Sequence, residues 1–150
     1  MERVVVMPEV EASFYEKMEE QRVKCWLCPH HCILKEGQSG LCRVRVNKEG
    51  TLFSLNYAKV ASLALDPIEK KPLYHFRPGS SIFSVGFLGC NLHCPFCQNW
   101  EISQQTDMAF RSIGPAELIR LAIDSGTRAI AYTYSEPLVH IEYLLEAMTA

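Results

Sequence analysis

No run of about twenty apolar residues occurs in this chain, so the sequence offers no membrane-spanning helix. The opening segment Met1 to Pro8, MERVVVMP, carries an apolar stretch of about three residues, well short of the roughly 7–15 of a signal-peptide core. Charge of one sign is not in excess: 15 Lys and Arg stand against 17 Asp and Glu, a formal charge of -2. That balance gives no bulk attraction to nucleic acid or to an anionic bilayer. Internal repeats and low-complexity tracts are also missing. These absences lead us to expect a cytoplasmic protein with neither nucleic acid nor membrane as partner. What remains is a chain of 150 residues, 48% of them apolar, enough for one ordinary domain or two small ones.

Cysteine is what the sequence has in abundance. There are seven, an odd number that a pure disulfide framework does not use up. In a reducing compartment, clustered cysteines bind metal more often than they pair. Cys25, Cys28, Cys32 and Cys42 form one group, and Cys90, Cys94 and Cys97 another. The plain alternative is buried free thiols, since cysteine packs as a small apolar residue, but scattered burial does not produce two tight groups.

Periodicity organises the rest. Val10, Phe14 and Met18, with charged residues between them, predict a short amphipathic helix. The first cysteine group follows in CWLCPHHCILKEGQSGLC, a turn-rich knuckle. RVRVN and TLFSLNYA around Lys48-Glu49-Gly50 predict a β-hairpin. Residues 66–80, rich in proline and mixed charge, predict an extended linker over a surface. After it SIFSVGF, residues 81–87, predicts a buried strand. Gly114-Pro115 opens a helix with Leu118, Ile119, Ala122 and Ile123 as its inner stripe and Gly126 as its stop. AIAYTY, residues 129–134, predicts the next strand, and Pro137 opens a helix with Leu138, Ile141, Leu144, Leu145 and Met148 on one face. Alternating strands and helices imply βα units on a parallel sheet. The expected division is 1–79, a Cys-rich metal-binding domain with its linker, and 80–150, an α/β unit. Only two βα units follow Ser80, too few to cover a sheet, so the sequence reads as part of a longer protein.

Cys90, Cys94 and Cys97, spaced C-x3-C-x2-C directly after a strand ending in glycine, suit three corners of a cubane iron–sulfur cluster. The fourth iron would then lack a protein ligand, and an open position is what chemistry at a metal requires. Parallel α/β folds place such sites at the carboxyl ends of their strands. The four earlier cysteines, spaced C-x2-C-x3-C-x9-C, suit a closed tetrahedral Zn2+ site or an auxiliary iron–sulfur cluster. His30 and His31 lie inside that segment as possible substitutes, though they read better as loop residues or supporting donors.

The segment GCNLHCPFCQN resembles the signature of the radical S-adenosylmethionine superfamily, including Phe96 before the last cysteine. CWLCPHHCILKEGQSGLCRVR, DPIEKKPLYHFRPG and YTYSEP extend the likeness over most of the chain, toward the AmmeMemoRadiSam type, relatives of pyruvate formate-lyase activating enzymes. The resemblance implies a partial (β/α)6 barrel whose first strand precedes the cluster loop. It implies a [4Fe–4S] cluster on Cys90, Cys94 and Cys97 that reductively cleaves S-adenosylmethionine to a 5′-deoxyadenosyl radical, which abstracts hydrogen from a substrate. Phe96 would lie near the adenine, and Ser135 and Glu136 would meet the methionine amino group. Tyr134 and Ser135 stand where the resembled turn carries two glycines, a departure from the pattern. A carboxylate at the start of a helix is also favoured by the helix dipole alone. The implied partner is an electron donor such as flavodoxin or ferredoxin; the resemblance does not name the substrate, for which a protein is one candidate.

Two other readings compete. One is a non-catalytic metal-binding interaction or electron-carrier module, which the lack of a fourth cysteine near Cys97 disfavours. The other is a nucleic-acid-binding zinc knuckle at Cys25–Cys42, disfavoured by the near-neutral charge. Trp26 and Trp100 are expected as packing residues, His75 as a linker residue against the core, and Glu69, Lys70 and Lys71 as a solvated run. His93 and Asn99 flank the second group and are candidates to tune it.

Overall fold

A computed structural model describes residues 9–105 and 107–150; the opening segment Met1 to Pro8 lies outside them. The N-terminal part is built from small antiparallel sheets. Strands β1 (Val10–Glu11), β5 (Arg45–Lys48) and β6 (Thr51–Ser54) form one, in the order β1-β6-β5. Strands β2 (Tyr15–Lys17), β3 (Val23–Cys25) and β4 (Ile33–Leu34) form the other, in the order β2-β3-β4. The helix expected through Val10, Phe14 and Met18 is therefore not formed. Phe14 sits at φ 60, which breaks a helix, and its flanking residues gain more from pairing: Val10 with Ser54 and Tyr15 with Cys25. Glu20 and Gln21, also left-handed, turn β2 back into β3. The expected hairpin is present as β5 and β6.

A third sheet carries the rest. It comprises β7 (Lys59–Pro67), β8 (Ser81–Phe87), β9 (Arg111–Ser112) and β10 (Ile130–Tyr132), in the order β10-β8-β7-β9. Helix α1 (Trp100–Gln104) precedes β9, α2 (Pro115–Asp124) precedes β10, and α3 (Ile141–Ala147) follows a 3-10 turn at Pro137–His140. Strands β8 and β10 are parallel, with α2 between them in the chain. Strand β7 is antiparallel to β8 along nearly its whole length. The sheet thus runs across the expected boundary at residues 79 and 80, and the expected linker begins inside a strand.

Strand β8 is buried on both faces. Phe83, Val85 and Phe87 pack against Leu118, Ala122, Tyr143 and Ala147. Both expected helices form, and their inner faces match the expectation in part: Leu118 and Ala122 of α2 are buried as expected. In α2 the inner residues are Pro115, Leu118 and Ala122, while Ile123 is exposed. In the last helix Val139, Tyr143 and Ala147 face inward, and Leu145 and Met148 face out. The period is right and the phase differs, because the Tyr143 ring packs on Phe87 at 4.7 Å and its hydroxyl donates to Ile113 O at 3.0 Å.

On the opposite face, Ser84 and Gly86 lie under Tyr134. A Cβ at Gly86 would stand 2.8 Å from Tyr134 Cδ2. The Tyr134 hydroxyl donates to Asp66 at 2.6 Å, and Lys70 and Lys71 donate to the same carboxylate at 2.9 and 2.8 Å. Residues 70 and 71 are therefore partners of a buried acid and not a solvated run. Burial of Asp66 opposes its ionisation, but bonds from Lys71, Tyr134 and Lys70 outweigh it and hold the carboxyl below its ordinary range.

The N-terminal part is joined to α3 by a buried ion pair. Arg45 Nη2 and Glu142 Oε1 are 2.5 Å apart, with side chains 2% and 7% exposed. The pair also takes both backbone groups of Ser13: its N–H donates to Glu142 at 2.7 Å and its carbonyl accepts from Arg45 at 2.9 Å. Removing one partner strands a buried charge. Glu142→Ala is expected to cost about 3–5 kcal/mol in denaturant unfolding, while Arg45→Met with Glu142→Met recovers most of it. Equal losses in the two variants would contradict this account.

Candidate metal and cofactor site

The loop holding Cys90, Cys94 and Cys97 leaves the carboxyl end of β8 through Gly89. That residue has φ +92, and a Cβ there would lie 2.5 Å from Val44 Cγ1 and 2.9 Å from Cys42 O. Glycine is required by both conformation and space. The loop is closed at its base, where Gly89 N donates to Ile102 O at 2.8 Å. Gln104 Nε2 donates to Leu92 O at 2.8 Å, and Arg43 donates to Gln104 O. Inside the loop Leu92 N–H faces Cys90 Sγ at 3.4 Å, and Cys97 N donates to Cys94 O at 3.1 Å. Cys90 is buried, Cys97 half-buried and Cys94 exposed. Phe96 is 85% exposed at the tip. Trp100, also exposed, is not the packing residue expected.

The neighbouring parallel strand delivers the second half. Thr133 N donates to Val85 O at 2.9 Å, and the chain then turns through Tyr134 at φ 71. The residue at the first position where the resembled turn has glycine adopts the conformation that favours glycine. Ser135 Oγ donates to Phe87 O at 2.9 Å, fixing this turn beside the end of β8. Glu136 Oε1 accepts from Leu138 N at 3.2 Å, so one oxygen caps the 3-10 turn.

Behind both loops lies a polar chain that sequence reasoning missed. Ser54 Oγ donates to Asn56 Oδ1 at 2.8 Å, and Asn56 Nδ2 donates to Leu88 O at 2.9 Å and to His140 Nδ1 at 2.5 Å. With Nδ1 accepting, the His140 proton sits on Nε2, which lies 3.4 Å from Ser135 Oγ. Asn56 and His140 are buried. Burial, helped by the Arg45 charge, depresses the His140 pKa to about 3. A lone Asn between strands and a His after a proline carry no periodic signal of this role.

The four earlier cysteines surround a separate small cavity, together with Leu27, His30, Gly40, Leu41, Arg45 and Val139. Burial pushes the Cys25 and Cys42 thiols up, opposed by backbone N–H groups of Leu27 toward Cys25 and of Val44 and Arg45 toward Cys42. His30 Nε2 is 2.8 Å from Asn91 O, so the knuckle is bonded directly to the second cysteine loop. His31, at φ 46, and His75 are exposed. Trp26 is 47% exposed and meets the Phe14 ring edge-on at 5.4 Å. Among the described residues no group of three or more His, Cys, Asp or Glu side chains is placed to hold a metal ion, and no helix is long and apolar enough to cross a membrane.

No family model and no solved structure matches the chain. An uncharacterized protein of Methanocaldococcus jannaschii is 46% identical over 138 residues, 91% of this chain and 41% of that protein. A second uncharacterized protein of the same organism is 36% identical over 81 residues, 53% of this chain and 19% of that protein. The chain thus spans less than half the length of either of these curated relatives.

The buried imidazole makes a pH prediction. A histidine with a depressed folded pKa adds stability that is complete above its unfolded value of about 6.5 and is lost as pH falls toward the folded value of about 3. Stability should fall between those limits with a slope approaching about 1.4 kcal/mol per pH unit from this group. His140→Gln should flatten that limb in pH-dependent denaturant unfolding; an unchanged slope would refute the assignment.

Proposed function

We propose that this chain is the front part of a radical S-adenosylmethionine enzyme of the AmmeMemoRadiSam type, with its cluster on Cys90, Cys94 and Cys97. One observation carries the reading: the three-cysteine loop and the Ser135–Glu136 turn leave adjacent parallel strands at the same edge, held together by the Ser135–Phe87 bond of 2.9 Å. Open α/β sheets place ligands at that edge.

The donor set suits a [4Fe–4S] cluster. Three thiols share one closed loop, a backbone N–H already faces Cys90 Sγ, and the other four cysteines are in the knuckle segment. A cluster bound there supplies the electron for reductive cleavage of S-adenosylmethionine and, through it, hydrogen-atom abstraction from substrate. The chain's own residues seat the cofactor. Glu136 keeps its Oε1 on Leu138 N and offers its other oxygen to a cationic amine. The Ser135 hydroxyl is engaged within the scaffold, so its part is to hold the turn. Phe96, exposed at the tip, offers a flat apolar surface for an adenine. A donor such as flavodoxin or ferredoxin suits the reduction, and a protein is one candidate substrate.

Anaerobic reconstitution with iron and sulfide should give about four irons per chain at this loop, lost in a variant with Cys90, Cys94 and Cys97 all changed to Ala. Reduction with S-adenosylmethionine present should release 5′-deoxyadenosine from the full-length protein. Glu136→Gln should raise the KM for S-adenosylmethionine about tenfold or more with the cluster intact. A full iron content without 5′-deoxyadenosine, or iron unaffected by loss of the three cysteines, would overturn the proposal.

A further inference from the structure

The knuckle has features that packing alone does not explain. Cys25 N donates to Cys32 O at 2.9 Å, and Gly40 N donates to Arg45 O at 2.8 Å, closing two tight turns that present the cysteines. A Cβ at Gly40 would stand 3.7 Å from both Cys32 Sγ and Cys42 Sγ, so these sulfurs converge on one glycine.

Arg45 supplies an independent observation. Its side chain is 2% exposed and lines the cavity. Two of its nitrogens bond Ser13 O and Glu142, but Nε has no partner. A buried cationic donor left unpaired is costly, and the groups around the cavity beside it are sulfurs. All four cysteines line this one cavity, and four thiolates complete a tetrahedral zinc site. With metal–sulfur bonds of about 2.3 Å, four sulfurs around zinc stand roughly 3.8 Å apart.

We propose that Cys25, Cys28, Cys32 and Cys42 bind one zinc ion as a tetrathiolate, with Arg45 as its buried counter-charge and Arg45 Nε–H donating to a thiolate. The four thiols release four protons on binding, nothing is oxidised or reduced, and the site carries net charge of two minus before Arg45 is counted. Zinc here is a fixed structural ion and not an electron relay. The site also shapes the second loop. Cys42 O and Val44 form the wall that Gly89 packs against, and His30 holds Asn91 O. That consequence rests on the cluster reading given above; the zinc site does not.

The experiment uses the whole chain with Cys90, Cys94 and Cys97 changed to Ala, so its outcome is independent of any cluster there. Metal analysis should find one zinc per chain without iron or acid-labile sulfide. X-ray absorption should show four sulfur neighbours at about 2.3 Å, and cobalt exchange should give a tetrahedral thiolate spectrum. No bound metal, iron with sulfide, or a nitrogen neighbour in place of a sulfur would overturn the tetrathiolate. In chelator competition, Arg45→Met with Glu142→Met should weaken zinc about 10–100-fold, while Arg45→Lys keeps it within a few-fold. Unchanged zinc affinity in the double variant would remove Arg45 from the site.

Discussion

A guanidinium taken out of water dictates how this chain assembles. Arg45 lies on a hairpin strand, yet its charge is matched by Glu142 from the last helix, nearly a hundred residues later in the chain. Neither group tolerates burial without the other, so the hairpin, the Ser13 backbone and α3 come together as one unit. Everything near the site inherits that docking. The Cys42–Val44 segment just before Arg45 is brought against Gly89, and His140, two residues before Glu142, is brought against Asn56 and Ser135.

The two cysteine groups occupy adjacent but unlike surroundings. One surrounds an enclosed cavity beside a cation; the other sits on a loop with Cys94 and Phe96 exposed. An enclosed group of four donors favours a closed coordination sphere, and an open loop with three favours an accessible one. The polar chain from Ser54 to Phe87 behind the second loop has a single consistent direction of proton donation, which leaves its imidazole one usable tautomer.

Spacing made the local elements legible, while long-range pairing hid much of the fold. The hairpin at Lys48–Gly50, the buried strand at 81–87 and the proline-opened helices are local signals, and each corresponds to an observed feature. The segment around Phe14 failed because its helical spacing competed with strand partners forty residues away. Strand β7 was missed because its first half alternates weakly and its last residues carry a proline and charges; pairing with β8 decided its conformation. The face of the last helix was misphased because the Tyr143 ring outweighed several aliphatic side chains. Asp66, Asn56 and His140 are polar residues whose roles exist only after distant segments meet.

Tyr134 lies flat across Gly86, its hydroxyl on Asp66 and its backbone left-handed. These positions are locked as a set. A side chain at residue 86 has room only if the ring at residue 134 is gone, and loss of that ring frees the turn to carry glycine but strips Asp66 of a donor. The Thr133 carbonyl, 3.2 Å from a Cβ at residue 86, crowds that position as well, so the glycine is what lets the second strand's turn close down onto the sheet.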